Sequence, residues 1–165
     1  LIKASFMKQF RFLEGKLNED FELLLRMLME TDGIFQLERP GYNIVLRNMS
    51  NTRGVFRPIM YNAMIENSNT AYAMMEKSFP MYYLQAKRFW LYQRLDYMLH
   101  IPVSMMNKDN EVCRGIIVDL KRNRKEIRTN PHLAKKEKRN LLILSYAPKL
   151  SKRVHNVIMR LKGIF

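Results

Sequence analysis

The amino-acid sequence predicts a mainly α-helical protein, in which a small remnant of an α/β sheet edge precedes a C-terminal bundle of about four to five helices. Three observations predict this class. Apolar residues recur three and four positions apart through most of the chain, which is the spacing of a helix face. Prolines divide that pattern into segments of ordinary helix length. Two short runs, 34–37 and 42–47, have instead the β-branched and aromatic composition of strands.

The first helix is predicted over residues 19–32. Asn18 is a suitable N-cap, and Gly33 follows as a C-terminal stop. Because the segment is apolar on most of its circumference, we expect burial on more than one side. Its first turn holds Glu19 and Asp20, and the helix dipole alone would favour two carboxylates there. Helix stability is therefore a sufficient explanation for the acidic pair, without any catalytic role.

Two short strands are predicted next, over 34–37 and 42–47, with a turn at Pro40 and Gly41 between them. Two strands of this length are marginal when alone, so they are expected to lie at the edge of a larger sheet. Such an edge needs cover, either from helices of the same chain or from a second copy in a homodimer. A polar loop, 48–56, follows the second strand.

The remaining helices are delimited by prolines. Pro58 suits the first position of a helix that runs to about residue 77, and a second is predicted over 81–100. The second helix is expected to turn Leu84, Leu91, Leu95 and Met98 inward and Lys87, Arg88 and Arg94 outward. Asp109 begins a third helix, Asn130 and Pro131 separate it from a fourth, and Pro148 precedes the last. In the last helix Leu150, Val154, Val157, Ile158 and Leu161 share one side, while Lys149, Lys152, Arg153, Arg160 and Lys162 lie on the other.

Charge divides the chain into two predicted domains, 1–56 and 57–165. The first holds 8 basic and 7 acidic residues, a net of +1, and the second holds 21 and 8, a net of +13. A positive field of this size attracts phosphate groups, whether of anionic lipid, nucleic acid or phosphate-linked carriers. The basic helices can lie in a membrane interface, or they can pack on one another with a solvated positive surface, and both interpretations stay open.

Several function classes are disfavoured by composition. The single cysteine, Cys113, leaves no internal disulfide and suits a reducing, cytoplasmic compartment. Apolar runs such as that from Leu141 to Leu144 are far shorter than the roughly 20 residues of a spanning helix. A nucleic-acid-binding helical protein is suggested by charge alone, but zinc spacing, ribonucleoprotein motifs and heptads are lacking. A membrane-surface module without catalysis is a further alternative.

The order of motifs in residues 1–53 resembles the last part of the catalytic domain of family 2 glycosyltransferases, the bacterial inverting enzymes that build cell-surface polysaccharides. The matching residues are Phe12, Glu14 and Gly15, Glu19 and Asp20, the run PGYNIVLR from Pro40 to Arg47, and Ser50 with Thr52. Ile44 replaces the family's second aromatic residue, and Gly41 is an addition after the proline. These departures fall in the predicted strand and leave the acidic pair unchanged.

The resemblance implies a GT-A fold and transfer of a sugar, with inversion, from a nucleotide-sugar donor to a saccharide or lipid-linked acceptor. It assigns the general base to Asp20, with Glu19 as the alternative. Arg47, Ser50, Thr52 and Arg53 are expected to face the donor diphosphate, because arginine and hydroxyl donors suit phosphate oxygens, although a solvated loop explains them too.

The resemblance also implies that a nucleotide-binding half precedes Leu1. That half would carry an Asp-x-Asp motif, which does not occur in this chain, and with it a divalent metal, Mg or Mn. The chain by itself is then expected to bind no metal and to be inactive. The expected location is the cytoplasm or, peripherally, the inner face of the plasma membrane.

Overall fold

A computed structural model describes residues 2–15, 17–35, 38–39, 41 and 56–161, and all regular structure in these residues is helical. The mainly helical prediction is thus confirmed. The chain divides into two compact units, Leu1–Arg57 and Pro58–Phe165. None of the helices in the described ranges combines the length and the apolar content needed to cross a bilayer.

The predicted sheet edge is not found in the described residues. Ile34 and Phe35, assigned to the first strand, are irregular in conformation, and the Phe35 side chain is 95% exposed. A strand depends on a hydrogen-bonded partner, and no described segment pairs with these two residues. The strand prediction is therefore wrong for them. Residues 36–37 and the second predicted strand, 42–47, lie outside the described ranges.

The first unit contains α1 (Ala4–Met7) and α2 (Glu19–Met29). Its core is formed by Phe10, Leu23 and Met27, with two partly buried side chains of α1 packed against it. Leu24, on another face of α2, is 52% exposed. Burial of α2 on more than one side is therefore not observed within the described residues, and the helix ends before the predicted Asp32.

The second unit is a helical bundle, and several of its helices begin at or near prolines. It comprises α3 (Pro58–Ser78), α4 (Tyr83–His100), α5 (Glu111–Arg122), α6 (Arg124–Thr129), α7 (Lys135–Tyr146) and α8 (Pro148–Leu161), with 3₁₀ turns at Pro80–Tyr82 and Val103–Met105. The starts predicted at Pro58 and Pro148 are confirmed. The third predicted helix begins at Glu111 rather than Asp109, because the Asn110 side chain caps it by accepting from the Cys113 N–H at 2.9 Å.

Helix α4 lies at the centre of the bundle and packs against α3, α5, α7 and α8. Most of the fully buried aliphatic and methionine side chains come from four helices: Leu91, Met98, Ile116, Leu120, Ile127, Leu141 and Leu144. Cys113 is buried in the same core, with its Sγ 3.9 Å from the Met98 sulfur. Burial raises the pKa of this thiol.

Two cations of α4 that the sequence placed on the solvent side are buried. Lys87 lies over the rings of Tyr72 and Trp90, with its Nζ 4.8 Å and 4.4 Å from the two ring centroids. Arg94 is 2% exposed. Leu84, predicted to point inward, is exposed. The outward prediction fails for Lys87 and Arg94 because a central helix is surrounded by other helices, so its polar face is covered as well.

Candidate active site

The acidic pair lies at the start of α2, as the sequence predicts, but the helix is capped differently. Asn18 adopts a left-handed backbone conformation, with φ = 54°, which asparagine tolerates better than most residues. Its side chain makes no capping hydrogen bond to the helix. Asp20 Oδ1 instead accepts from the Phe21 N–H at 2.9 Å. The predicted capping bond from Asn18 is therefore wrong, because its left-handed backbone differs from the extended one of a usual N-cap.

Glu19 and Asp20 are both exposed. Leu23 follows Asp20 by three residues and Glu19 by four, so both carboxylates stand at the N-terminal end of the face that buries Leu23 and Met27. Within the described ranges neither carboxylate forms an ion pair, and Asp20 Oδ2 makes no hydrogen bond. One oxygen of Asp20 is thus held by the backbone, and the side chain as a whole is exposed.

The chain that approaches α2 is fixed against the helix. The Arg26 guanidinium donates from Nη2 to the Arg11 carbonyl at 2.7 Å. Phe6 and Phe10 pack with ring centroids 5.0 Å apart, and Phe10 joins the core beneath α2. These contacts hold the aromatic approach segment and the acidic helix in one small unit.

A shallow groove of about 400 Å³ lies on the approach segment of the same unit. It is lined by Ala4, Met7, Lys8, Phe10, Arg11 and Phe12. Two cations beside phenylalanine rings suit an anionic ligand that also has an apolar part. Glu19 and Asp20 do not line this groove, so the structure places the aromatic surface and the acidic pair in one unit without joining them in one cavity.

The other predicted site residues, Arg47, Ser50, Thr52 and Arg53, fall outside the described ranges, and their assignment stays a prediction. In the part of the chain that is described, no three His, Cys, Asp or Glu side chains are placed to hold a metal ion.

Sequence reasoning missed a polar groove of about 440 Å³ in the second unit. Its walls include Asn62, Tyr97, Asn107 and Asp109. Asn62 Oδ1 is buried and accepts no hydrogen bond from any described residue. Asn107 Oδ1 shapes the rim by accepting from the Asp109 N–H at 3.0 Å. The only signal in the sequence is the polar run 107–110 between two helices, which is equally typical of an ordinary loop.

Comparison of the chain with protein-family models, with curated proteins and with solved structures finds no match. A functional assignment therefore depends on the chemistry of these residues and on the motif order in residues 1–53. The exposed carboxylate of Asp20 can accept a proton from a hydroxyl within hydrogen-bond reach, as any exposed carboxylate can, and the motif order singles it out among them.

Proposed function

We propose that this chain provides the acceptor side of an inverting glycosyltransferase, which moves a sugar from a nucleotide-sugar donor to an acceptor hydroxyl in cell-surface polysaccharide synthesis. The observation that carries the proposal is the Asp20 carboxylate, exposed at the N-terminus of α2 and held by the Phe21 N–H through one oxygen only. A general base must be within hydrogen-bond reach of the proton it removes. A helix N-terminus also stabilises the negative charge that such a base carries.

In the proposed reaction Asp20 removes the proton of the acceptor hydroxyl as its oxygen bonds to the anomeric carbon. The bond between that carbon and the donor diphosphate breaks on the opposite face, so the configuration inverts and a nucleoside diphosphate leaves. Glu19, the neighbouring exposed carboxylate, is the alternative base. Arg47, Ser50, Thr52 and Arg53 would bind the diphosphate oxygens. No step of this proposal passes through a metal, whose ligands would lie on another part of the protein.

Apolar exposure in the first unit supports a role as part of a larger catalytic domain. Phe12, Leu24 and Phe35 are all exposed there. Large apolar side chains exposed in this way suit a surface that another layer of structure covers. A nucleotide-binding half would supply that layer.

The decisive experiment replaces Asp20 by Asn in the complete reading frame, including any residues encoded upstream of Leu1. Nucleotide-sugar donors are screened with the unaltered protein, and turnover is followed as release of nucleoside diphosphate. We expect Asp20→Asn to lower kcat by about 10²–10⁴-fold with little change in the KM for the donor, since a base is lost and donor contacts are kept.

Asp32→Asn is the matched control, because Asp32 is also exposed, follows the other end of α2 and undergoes the same chemical change. This variant should retain full turnover. Retained turnover in Asp20→Asn would remove the assignment of the base, and failure of every donor with the unaltered protein would remove the proposed function itself.

A further inference from the structure

We propose that α8 docks the chain onto an anionic lipid bilayer, with its exposed apolar side chains entering the boundary between headgroups and acyl chains and its flanking cations meeting the lipid charge. This inference is independent of the glycosyltransferase proposal, because it rests on the second unit alone.

The apolar residues of α8 form one stripe that faces outward. At roughly 100° per residue, positions 150, 154, 157 and 161 fall within a narrow arc, with 158 beside them. These residues, Leu150, Val154, Val157, Ile158 and Leu161, are between 45% and 83% exposed. A surface helix of a globular protein normally turns such a stripe toward its core. In α8 the arrangement is reversed.

The opposite face of α8 is the one that holds the helix on the bundle. Lys152 is buried there, and its Nζ donates to the Leu99 carbonyl of α4. His155 and Met159, on the same side, are half-buried. A buried lysine with a backbone partner fixes the rotation of α8 about its own axis. The apolar stripe therefore faces outward because specific contacts fix the orientation of α8 on the bundle.

Charge along one flank of the stripe indicates the partner. Lys149, Arg153 and Arg160 are exposed and share the same edge of the helix. The helix Pro148–Leu161 contains four basic residues and no acidic residue. An apolar face bordered by cations is the pattern of helices that lie in the interface of anionic membranes.

A bilayer fits this surface better than a second copy of the chain. Two α8 helices brought face to face would place like charges beside one another, since both carry only basic residues. The apolar surface also continues beyond the helix, through a groove of about 300 Å³ lined by Ile117, Ala147, Pro148 and Leu150. A broad, one-sided apolar surface with positive edges matches a planar layer of negatively charged lipid.

The test is flotation of the full chain with vesicles of phosphatidylcholine, with and without phosphatidylserine. We expect binding to the anionic vesicles only. The double variant Val154→Ser and Val157→Ser should bind at least about tenfold more weakly, because apolar area is removed from the inserted face. Arg153→Glu with Arg160→Glu should weaken binding as strongly and reduce its salt dependence.

Matched controls are available on other helices. Val118→Ser changes an exposed valine of α5, and Lys135→Glu with Lys136→Glu changes two exposed cations of α7. We expect both to retain vesicle binding within about twofold. If the controls lose binding as much as the α8 variants, or if the α8 variants bind normally, the proposal is overturned.

A second measurement separates insertion from simple adsorption. A fluorophore sensitive to polarity is attached to Val157→Cys, and the same label on Val118→Cys serves as reference. Insertion predicts a blue shift with anionic vesicles at position 157 and none at position 118. A shift at neither position, or a dimer in light scattering that Val154→Ser with Val157→Ser converts to monomer while vesicle binding persists, contradicts docking through α8.

Discussion

Arg94 shows at the residue scale how the bundle tolerates a charge in its interior. Its guanidinium donates to Asp119 Oδ2 at 2.8 Å, to Asn69 Oδ1 at 2.7 Å and to the Trp90 carbonyl at 3.1 Å. Burial lowers the pKa of Arg94 to about 10, so the group stays charged at neutral pH. Every part of the guanidinium has a partner, which is the condition under which a buried charge is stable.

Arg94→Ala is expected to lower the free energy of unfolding by about 3 kcal/mol, because Asp119 loses its charged donor in a partly buried position and Asn69 loses one of its two donors. Arg88→Ala is the control, since Arg88 pairs with Glu137 at 3.0 Å but is 41% exposed, and such pairs contribute about 1 kcal/mol or less. Urea denaturation of both variants measures the difference. Equal losses of stability in the two variants would show that the buried Arg94 interactions contribute no more than an exposed ion pair.

Two histidines in the second unit are expected to have pKa values on opposite sides of the ordinary histidine pKa. The hydrogen bonds of His100 to Asp96 raise its pKa, although burial opposes the shift. Burial lowers the pKa of His155, and the positive charges of Lys152 and His100 add to that shift. The two imidazoles should therefore be resolved by an NMR titration, with His100 above and His155 below about 6.5.

These shifts have opposite effects on stability. Because the pKa of His100 is raised on folding, its charged form contributes to the free energy of unfolding below about pH 6.5. This contribution is lost as the pH rises through the pKa of His100 in the folded protein. The neutral form of His155 contributes above about pH 6.5, and that contribution is lost as the pH falls. His100→Gln should thus destabilise the protein in acid and have little effect at alkaline pH. A uniform loss at all pH values would contradict the assigned charge interaction.

At the scale of single elements, α5 depends on its N-cap. Asn110 Oδ1 accepts from the Cys113 N–H, and the Tyr97 hydroxyl lies 3.4 Å from the same oxygen. Asn110→Ala should cost about 1 kcal/mol of stability, whereas Asn110→Ser should retain most of it, because serine can accept the same backbone bond. Thermal unfolding by circular dichroism distinguishes the two. A serine variant as unstable as the alanine variant would count against the capping role.

The elements also show what local sequence can predict. Pro58 and Pro148 are predictable helix starts, because the N–H of a first helical position has no partner within the helix and proline lacks that N–H. The acidic first turn of α2 is likewise predictable from a few neighbouring residues. Ile34 and Phe35 were mispredicted as a strand because pairing is a nonlocal property. The burial of Lys87 and Arg94 was missed because it depends on which helices surround α4. The grooves beside Phe12 and Asn62 likewise arise only from tertiary packing.

At the scale of the whole molecule, the two units differ in how much core they hold. The first buries three apolar side chains among its described residues, and the second buries sixteen, from Ile65 to Leu144. We therefore expect residues 58–165 to fold when expressed alone, with cooperative thermal unfolding, and residues 1–57 to lack such a transition. Circular dichroism and amide proton dispersion check this. Loss of cooperativity in the 58–165 segment would contradict the independence of its core.

The single thiol of the chain has a practical consequence. Cys113 is enclosed between α4 and α5, so an added alkylating reagent can reach it only during a transient opening of the helices around it. The rate at which Cys113 is alkylated under native conditions then reports how often the bundle opens locally. Substitutions elsewhere in the second unit can be ranked by how much they raise this rate, without any introduced probe.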